Sequence, residues 1–194
     1  VNPHFLYNTL DNICALAELD EKETLIQLVM NLSSFYRCSL SNGKTHISIG
    51  QELEISRAYL EILQIRYFHK FDFTITCPEA LKNYSCIKLL LQPILENSIY
   101  HGIKGLDRHG ILHIEAEDAG DCIRFTISDN GRGFSKEDYE KIWQQDADHF
   151  GIKSIQQRIL LYYGPGYGLS MESPQTGGCI TVITLPKQEG LPCH

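Results

Sequence analysis

Asp129 ends an alternating stretch, Ile123, Phe125, Ile127 and Asp129, which puts a carboxylate on the same strand face as three apolar side chains. A carboxylate on a buried face needs a partner, because leaving it unpaired costs on the order of several kcal/mol. Asn130, Gly131, Arg132, Gly133 and Phe134 follow. Two glycines at that spacing fit a plain Asp-Asn-Gly turn, or a backbone that comes close to a flat ligand. A second anomaly lies upstream, where Leu90, Ile94, Asn97 and His101 share one helical face, so that two polar groups continue an apolar stripe. Gln92 and Glu96 form a polar pair beside it. An inward Asn near a carboxylate suits magnesium, an ion that keeps most of its waters and shares phosphate oxygens. An Asn satisfied by backbone groups would instead carry no chemistry. Glycine-rich turns near Gly151 and Gly178 add to the coincidence.

Charge limits what these residues could bind. The 194 residues include 17 Lys and Arg against 24 Asp and Glu, a net charge of −7. That balance argues against sequence-independent nucleic-acid binding, so no nucleic-acid partner is expected, and a phosphate ligand would need something other than bulk charge to hold it. Hydrophobic residues make up 43% of the chain, enough for a core. The longest apolar runs, Leu89 to Leu91 and Ile159 to Leu161, are too short to cross a bilayer. The 7 cysteines are odd in number and form no CxxC pair, which suggests neither a disulfide framework nor a zinc site and points to a reducing cytoplasm. Because Val1 stands where a helix is starting, the chain is expected to be a piece of a longer protein.

The elements that must position these groups can be read from periodicity. Asn2 can cap a first helix with Pro3 at its first position and Leu6, Leu10, Ile13, Leu16 and Ala17 along one face. Asp20 and Glu23 outline a capping box for a second helix, striped by Leu25, Leu28, Val29, Leu32, Phe35 and Tyr36. A hairpin with one stripe per helix cannot bury both stripes alone. A homodimeric four-helix bundle is the economical solution, and docking on the rest of the chain is the alternative. Ser41, Asn42 and Gly43 end the hairpin. A helix over 51–67, a strand over 71–76 and a helix over 87–101 follow, with Pro93 either kinking the last or sitting in its first turn. Strands over 111–117 and 122–129, a long irregular stretch, a helix over 152–163 and a terminal hairpin over 168–173 and 178–185 complete the chain. Helices against an antiparallel or mixed sheet make an α+β two-layer sandwich.

Four segments together resemble a known family. Leu91-Gln92-Pro93-Ile94-Leu95-Glu96-Asn97-Ser98-Ile99-Tyr100-His101-Gly102 resembles the N box of the GHKL ATPases in its histidine-kinase form. Asp129-Asn130-Gly131-Arg132-Gly133 resembles the G1 box, His149-Phe150-Gly151-Ile152 with Gln157-Arg158-Ile159 a G2 box, and Gly177-Gly178-Cys179 with Pro186 a G3 box. The opening Asn2-Pro3-His4-Phe5-Leu6-Tyr7-Asn8-Thr9-Leu10 is similar to the phospho-acceptor motif of LytS-type bacterial sensor histidine kinases.

The resemblance implies a dimerisation and phospho-acceptor hairpin over 1–45, a Bergerat-type (GHKL) ATP-binding domain over 46–188 and a tail over 189–194. It implies ATP and Mg2+ as cofactors, with Asp129 accepting from the adenine amino group and Asn97 coordinating magnesium. Gly131, Gly133, Gly151 and Gly178 would shape the ATP site, His101 would contact phosphate or fix the helix end, and residues between Gly133 and Gly151 would form a lid over it. Magnesium would also answer the charge problem. His4 would be the nucleophile, an imidazole largely neutral near pH 7 at an ordinary pKa of about 6.5. Glu96 would polarise that imidazole or support the metal ligand. Helical spacing puts Asn8 and Asp11 on the side of His4 and turns Phe5, Leu6 and Leu10 toward the bundle. The implied partners are a second copy of the chain and a response regulator, with any membrane contact made through a sensor region upstream. The expected location is the cytoplasmic portion of a membrane protein. Tyr100 stands where many relatives have Lys or Arg, His149 replaces a G2 glycine, Ser154 a frequent Asn, and Cys179 the usual G3 Thr. These departures keep a second reading open, a non-catalytic dimerisation and nucleotide-sensing module. An ATPase or serine-directed kinase of the same superfamily, with His4 idle, is a third.

Overall fold

In the computed structural model, which describes residues 3–40, 43–143 and 150–189, helices cover one face of a mixed sheet. The chain runs α1 (Pro3–Glu18), α2 (Lys22–Leu40), β1 (His46–Ser48), α3 (Ile49–Arg66), β2 (Phe71–Thr76), β3 (Ser85–Ile87) and α4 (Gln92–Asn97). There follow β4 (Gly110–Asp118), β5 (Cys122–Asp129), α5 (Lys136–Trp143), α6 (Phe150–Tyr163), β6 (Gly168–Glu172) and β7 (Cys179–Pro186). The large sheet has the order β2-β4-β5-β7-β6, with β2 and β4 parallel and the other pairs antiparallel. β1 and β3 pair separately. This is the mixed-sheet α+β architecture the periodicity predicts.

Alternation holds along the central strands. Ile123, Phe125, Ile127 and Asp129 are all buried, and the register sets Asp129 between Leu112 on β4 and Cys179 on β7. α3 is the helix around which the rest packs. Ile49, Leu53, Ile55, Tyr59, Leu60 and Leu63 bury both its faces. It starts two residues before the predicted boundary because Ser48 and Gln51 form a capping box: the Gln51 amide donates to Ser48 Oγ at 3.2 Å and the Ser48 amide to Gln51 Oε1 at 3.1 Å.

On one of its faces the hairpin takes the second solution weighed for its stripes and docks on the rest of the chain. Phe5 and Phe35 pack on Tyr59 of α3 with ring centroids 5.0 and 5.8 Å away, so one face docks on the chain itself. Tyr7, Leu10, Ile26, Val29 and Met30 remain exposed. Phe5, Thr9, Leu28 and Phe35 define the stripe that α3 covers, which leaves Leu10 and Val29 of the expected stripes on the uncovered side. Asp20 does not cap α2; it turns the chain between the helices at φ +58°.

Two further boundaries differ. The expected helix over 87–101 begins only at Gln92: Ile87 belongs to β3, Leu89 takes φ +56°, and Pro93 sits in the first helical turn, where its missing amide leaves no bond unmade. After Asn97 the helix widens over Ser98–Ile103, the Lys104 amide reaching back to Ile99 O at 2.8 Å. The stretch read as irregular contains α5, whose start is fixed by Ser135 Oγ accepting from the Asp138 amide at 3.1 Å. The readings at Asn2, Ser41, Asn42 and His149 fall outside the described residues.

One buried charge ties α3 to α4. Glu52 is fully buried, and its Oε2 and Oε1 accept from the amides of Leu89 at 2.8 Å and Leu91 at 2.9 Å. Burial pushes its pKa up to about 7, against the pull of those amides and of Arg158. Folded Glu52 thus keeps its proton to a higher pH than the unfolded chain, whose carboxyl titrates near 4.5. Its contribution to stability is complete below that lower value and lost as the pH rises through the higher one. Denaturant unfolding at acidic and mildly alkaline pH should show the parent losing on the order of 3 kcal/mol relative to Glu52→Gln. Equal pH dependence in the two proteins would refute this.

Candidate functional site

At the end of β5 the Asp129 carboxylate is 9% exposed. Its Oδ1 accepts from the Gly131 amide at 2.8 Å. Its Oδ2 is buried with no hydrogen-bond partner among the described residues. Burial raises the Asp129 pKa, while the nearby Ser98 hydroxyl and the Gly131 and Cys179 amides pull it down. A buried acceptor left open, at the wall of a cavity, is a place for a ligand's N–H.

The loop after Asp129 is held from several sides. Asn130 Oδ1 accepts from the Ile111 amide at 2.7 Å, its Nδ2 donates to His109 O at 3.1 Å, and Arg108 donates to Asn130 O at 2.6 Å. The Arg132 amide donates to Gly102 O at 3.2 Å and the Gly178 amide to Gly131 O at 2.9 Å. A Cβ on Gly131 would lie 2.6 Å from the Gly102 Cα, so the loop and the end of the widened helix touch backbone to backbone. Gly178 has φ +87°, and a Cβ there would strike the Asp129 carbonyl oxygen. Three sequence-distant segments therefore meet around Asp129.

A cavity of about 350 Å3 opens against this junction, lined by Asn97, Ser98, His101, Asp129, Gly133 and Cys179 among others. A second, of about 160 Å3, adjoins it through Asn97 and His101 and includes Glu96, Tyr100, Gly151 and Ile152. Asn97 is half-buried and His101 exposed, so the inward stripe runs through Asn97 and ends with His101 at the mouth. Glu96 Oε1 accepts from Gln92 Nε2 at 2.9 Å, and the buried Tyr59 hydroxyl also lies against Glu96. Gly151, in the first turn of α6, stands at the wall of the smaller cavity. The Cys179 thiol is 3.6 Å from the Thr181 hydroxyl and is pushed up to about 11 by burial, so it stays protonated. The Tyr100 ring stands edge-on to Tyr67, with Lys104 Nζ 5.9 Å from both ring centroids.

Seven of the expected site residues, Asn97, His101, Asp129, Gly133, Glu96, Gly151 and the Gly131 that backs Asp129, surround these adjoining cavities, and Gly178 buttresses them from behind. His4 lines neither. It is exposed in the first turn of α1, where the Asn8 amide lies 2.9 Å from its Nδ1. Sequence reasoning missed Ser98, Gly102, Phe134 and Asp138. Ser98 and Gly102 carry no periodic signal of their own, whereas Ser135 three residues before Asp138 was a readable cap.

Among the described residues no group of three or more His, Cys, Asp or Glu side chains could hold a metal ion. A single amide oxygen from Asn97 fits only a cation that takes its remaining ligands from water and from a ligand's own oxygens, which is how magnesium behaves.

Residues 84–189 match the family model described as histidine kinase-, DNA gyrase B-, and HSP90-like ATPase, and residues 1–71 match the one described as histidine kinase. The chain is 33% identical over 186 residues to the sensor histidine kinase YesM of Bacillus subtilis, covering 96% of this chain and 32% of that protein. It is 32% identical over 171 residues to the sensor histidine kinase BtsS of Escherichia coli, covering 88% of this chain and 29% of that one. It thus spans about a third of the length of these curated relatives. A solved structure of histidine kinase ThkA in complex with response regulator protein TrrA shares the fold, with a TM-score of 0.56 at 16% identity over 96% of this chain and 60% of that one.

The backbone contact behind Asp129 gives a stability test. Gly178→Ala should cost about 2 kcal/mol or more, since it forces a Cβ into a left-handed, occupied position. Gly151→Ala, whose Cβ would among the described residues meet only Pro93 Cβ at 3.3 Å, should stay within about 0.5 kcal/mol in the same urea titration.

Proposed function

We propose that this chain, which belongs to the histidine kinase-, DNA gyrase B- and HSP90-like ATPase family, is the kinase core of a sensor histidine kinase: it binds ATP with magnesium, phosphorylates His4 and passes the phosphoryl group to an aspartate of a response regulator. The observation that carries the reading is the open, buried Oδ2 of Asp129 beside the larger cavity. It supplies an acceptor for the exocyclic amino group of adenine, while the Gly131 amide keeps Oδ1 in place. Asn97, common to both cavities, would present its amide oxygen to magnesium, and the phosphates would lie along the passage toward Glu96, Tyr100 and Gly151. Bound there, magnesium supplies neutralisation of triphosphate charge that an acidic chain otherwise repels.

In the transfer, the lone pair of a His4 ring nitrogen forms the bond to the γ-phosphorus as the bond to the bridging oxygen breaks and ADP departs. The ring proton is then released, and Glu96 is the carboxylate that would polarise the imidazole. Because His4 lines neither cavity, transfer requires either a changed placement of the hairpin against the ATP domain or a histidine from a second copy. The exposed Tyr7, Leu10, Ile26, Val29 and Met30 support a homodimer through the hairpin, with residues 1–45 as its dimerising part and 46–188 as its ATP-binding part. No helix among the described residues is long and apolar enough to cross a membrane. A membrane-bound sensor would lie elsewhere in the whole protein, whose cytoplasmic portion this core would form. The ThkA–TrrA structure and the named relatives support a response regulator as partner.

Calorimetry with Mg-ATP should give saturable binding to the parent and at least a hundredfold weaker binding to Asp129→Asn, which turns an amide donor toward the adenine amino group. Undiminished binding would remove Asp129 from the site. With radiolabelled ATP, acid-labile, base-stable phosphate should form on the parent and be absent from His4→Gln; its persistence in the variant would move the acceptor elsewhere.

A further inference from the structure

The segment just before α4 is held almost wholly by side chains from elsewhere. The Ile87 amide donates to Tyr163 Oη at 2.9 Å, and the Lys88 amide to Thr45 O at 2.9 Å. Arg158 donates to Lys88 O at 2.6 Å and to Leu89 O at 3.4 Å. Glu52 takes the amides of Leu89 and Leu91 at 2.8 and 2.9 Å. The Lys88 amide continues the pairing of β3 with β1, whereas the Leu89 and Leu91 amides have a carboxyl group in place of a helical or sheet partner, and Leu89 sits at φ +56°, a conformation unfavourable for leucine. Strain of that kind persists only where surrounding groups over-determine it, and here the Glu52 carboxyl from α3 takes amides while the Arg158 guanidinium from α6 takes carbonyls of the same segment.

We propose that Glu52 and Arg158 are positioning residues of the nucleotide site: by fixing segment 87–91 they set the rotation and depth at which α4 delivers Glu96 and Asn97 to the cavities. The proposal rests on the reading of those cavities as an ATP and magnesium site. The lever is short, since Asn97 lies within two helical turns of Leu91, whose amide Glu52 holds. Asp129 reaches the same cavity from β5, a strand that neither residue touches in these bonds. Loss of the grip should thus disturb the metal and phosphate end while sparing the adenine end. α3 also carries Tyr59, whose ring packs 5.0 Å from Phe5, the neighbour of the proposed phospho-acceptor. Gly151, in the first turn of α6, stands beside the proposed phosphate passage. The gripped segment is accordingly where α3, on which the hairpin docks, and α6 are joined.

The test compares ATP and adenosine binding with and without magnesium for the 194-residue parent, Glu52→Gln and Arg158→Lys. In the parent, magnesium should tighten ATP binding. Each variant should lose about tenfold of that magnesium-dependent gain while binding adenosine within about twofold of the parent. Arg158→Lys keeps the charge but not the forked geometry, and it decides the matter if Glu52→Gln does not fold. Equal loss of ATP and adenosine affinity, or a magnesium gain unchanged in the folded variants, overturns the positioning role. A parent that binds adenosine and ATP without any magnesium gain overturns the assignment of Asn97 together with it. A parent that binds neither overturns the nucleotide reading itself.

Discussion

A carboxylate forced into an apolar layer is the constraint on which the site depends. The β5 alternation delivers Asp129 to the covered face between Leu112 and Cys179, and among the described residues its Oδ1 has a hydrogen-bond partner while its Oδ2 has none. Satisfying that one requires the Gly131 amide to fold back, which presses Gly131 against Gly102 and draws Gly178 under the Asp129 carbonyl. Side chains at those positions would keep the segments apart and close the cavity. The unsatisfied oxygen is a cost the folded chain bears alone and a ligand's donor would relieve. A structural carboxylate would have had both oxygens bonded, as Glu52 does.

The two buried carboxylates thus divide the work. Glu52 fastens backbone to backbone and leaves no acceptor facing the cavities, whereas Asp129 keeps one acceptor for what enters. Between them the helix carrying Glu96 and Asn97 is fixed at its start by side chains and at its widened end by the Gly102–Arg132 contact. A site pinned at both ends of one short helix needs little help from the helix's own intrinsic stability, which at six residues is small. The acidic net charge fits this design, since a cation shared with the ligand does what basic side chains do in nucleic-acid binders.

Much of this was legible in local pattern. The strand alternation placed Asp129 inward, and the helical stripe placed Asn97 on the covered side, because side-chain direction follows backbone period. Which face of the hairpin its own chain covers was not legible, because a helix with apolar residues on more than one face does not say so, and the Phe5, Phe35 and Tyr59 rings decided it. The helix over 87–101 was drawn too long because Leu89, Leu90 and Leu91 are good helix formers. Local preference there lost to the grip of Glu52 and Arg158, groups 37 and 69 residues away in sequence from Leu89.

Sequence by itself determined the α+β class, the order of the elements, the inward carboxylate and the glycines around it, since each of these follows from spacing along one segment. The capping serine before α5 is likewise a local signal, three residues ahead of Asp138. Only the tertiary structure decided that Asp129 Oδ2 is open, that Asn97 and His101 are shared by two adjoining cavities, that His4 stands apart from both, and that segment 87–91 is non-helical. These are matters of which distant groups come within hydrogen-bonding reach, and spacing along a chain carries no record of distance across it.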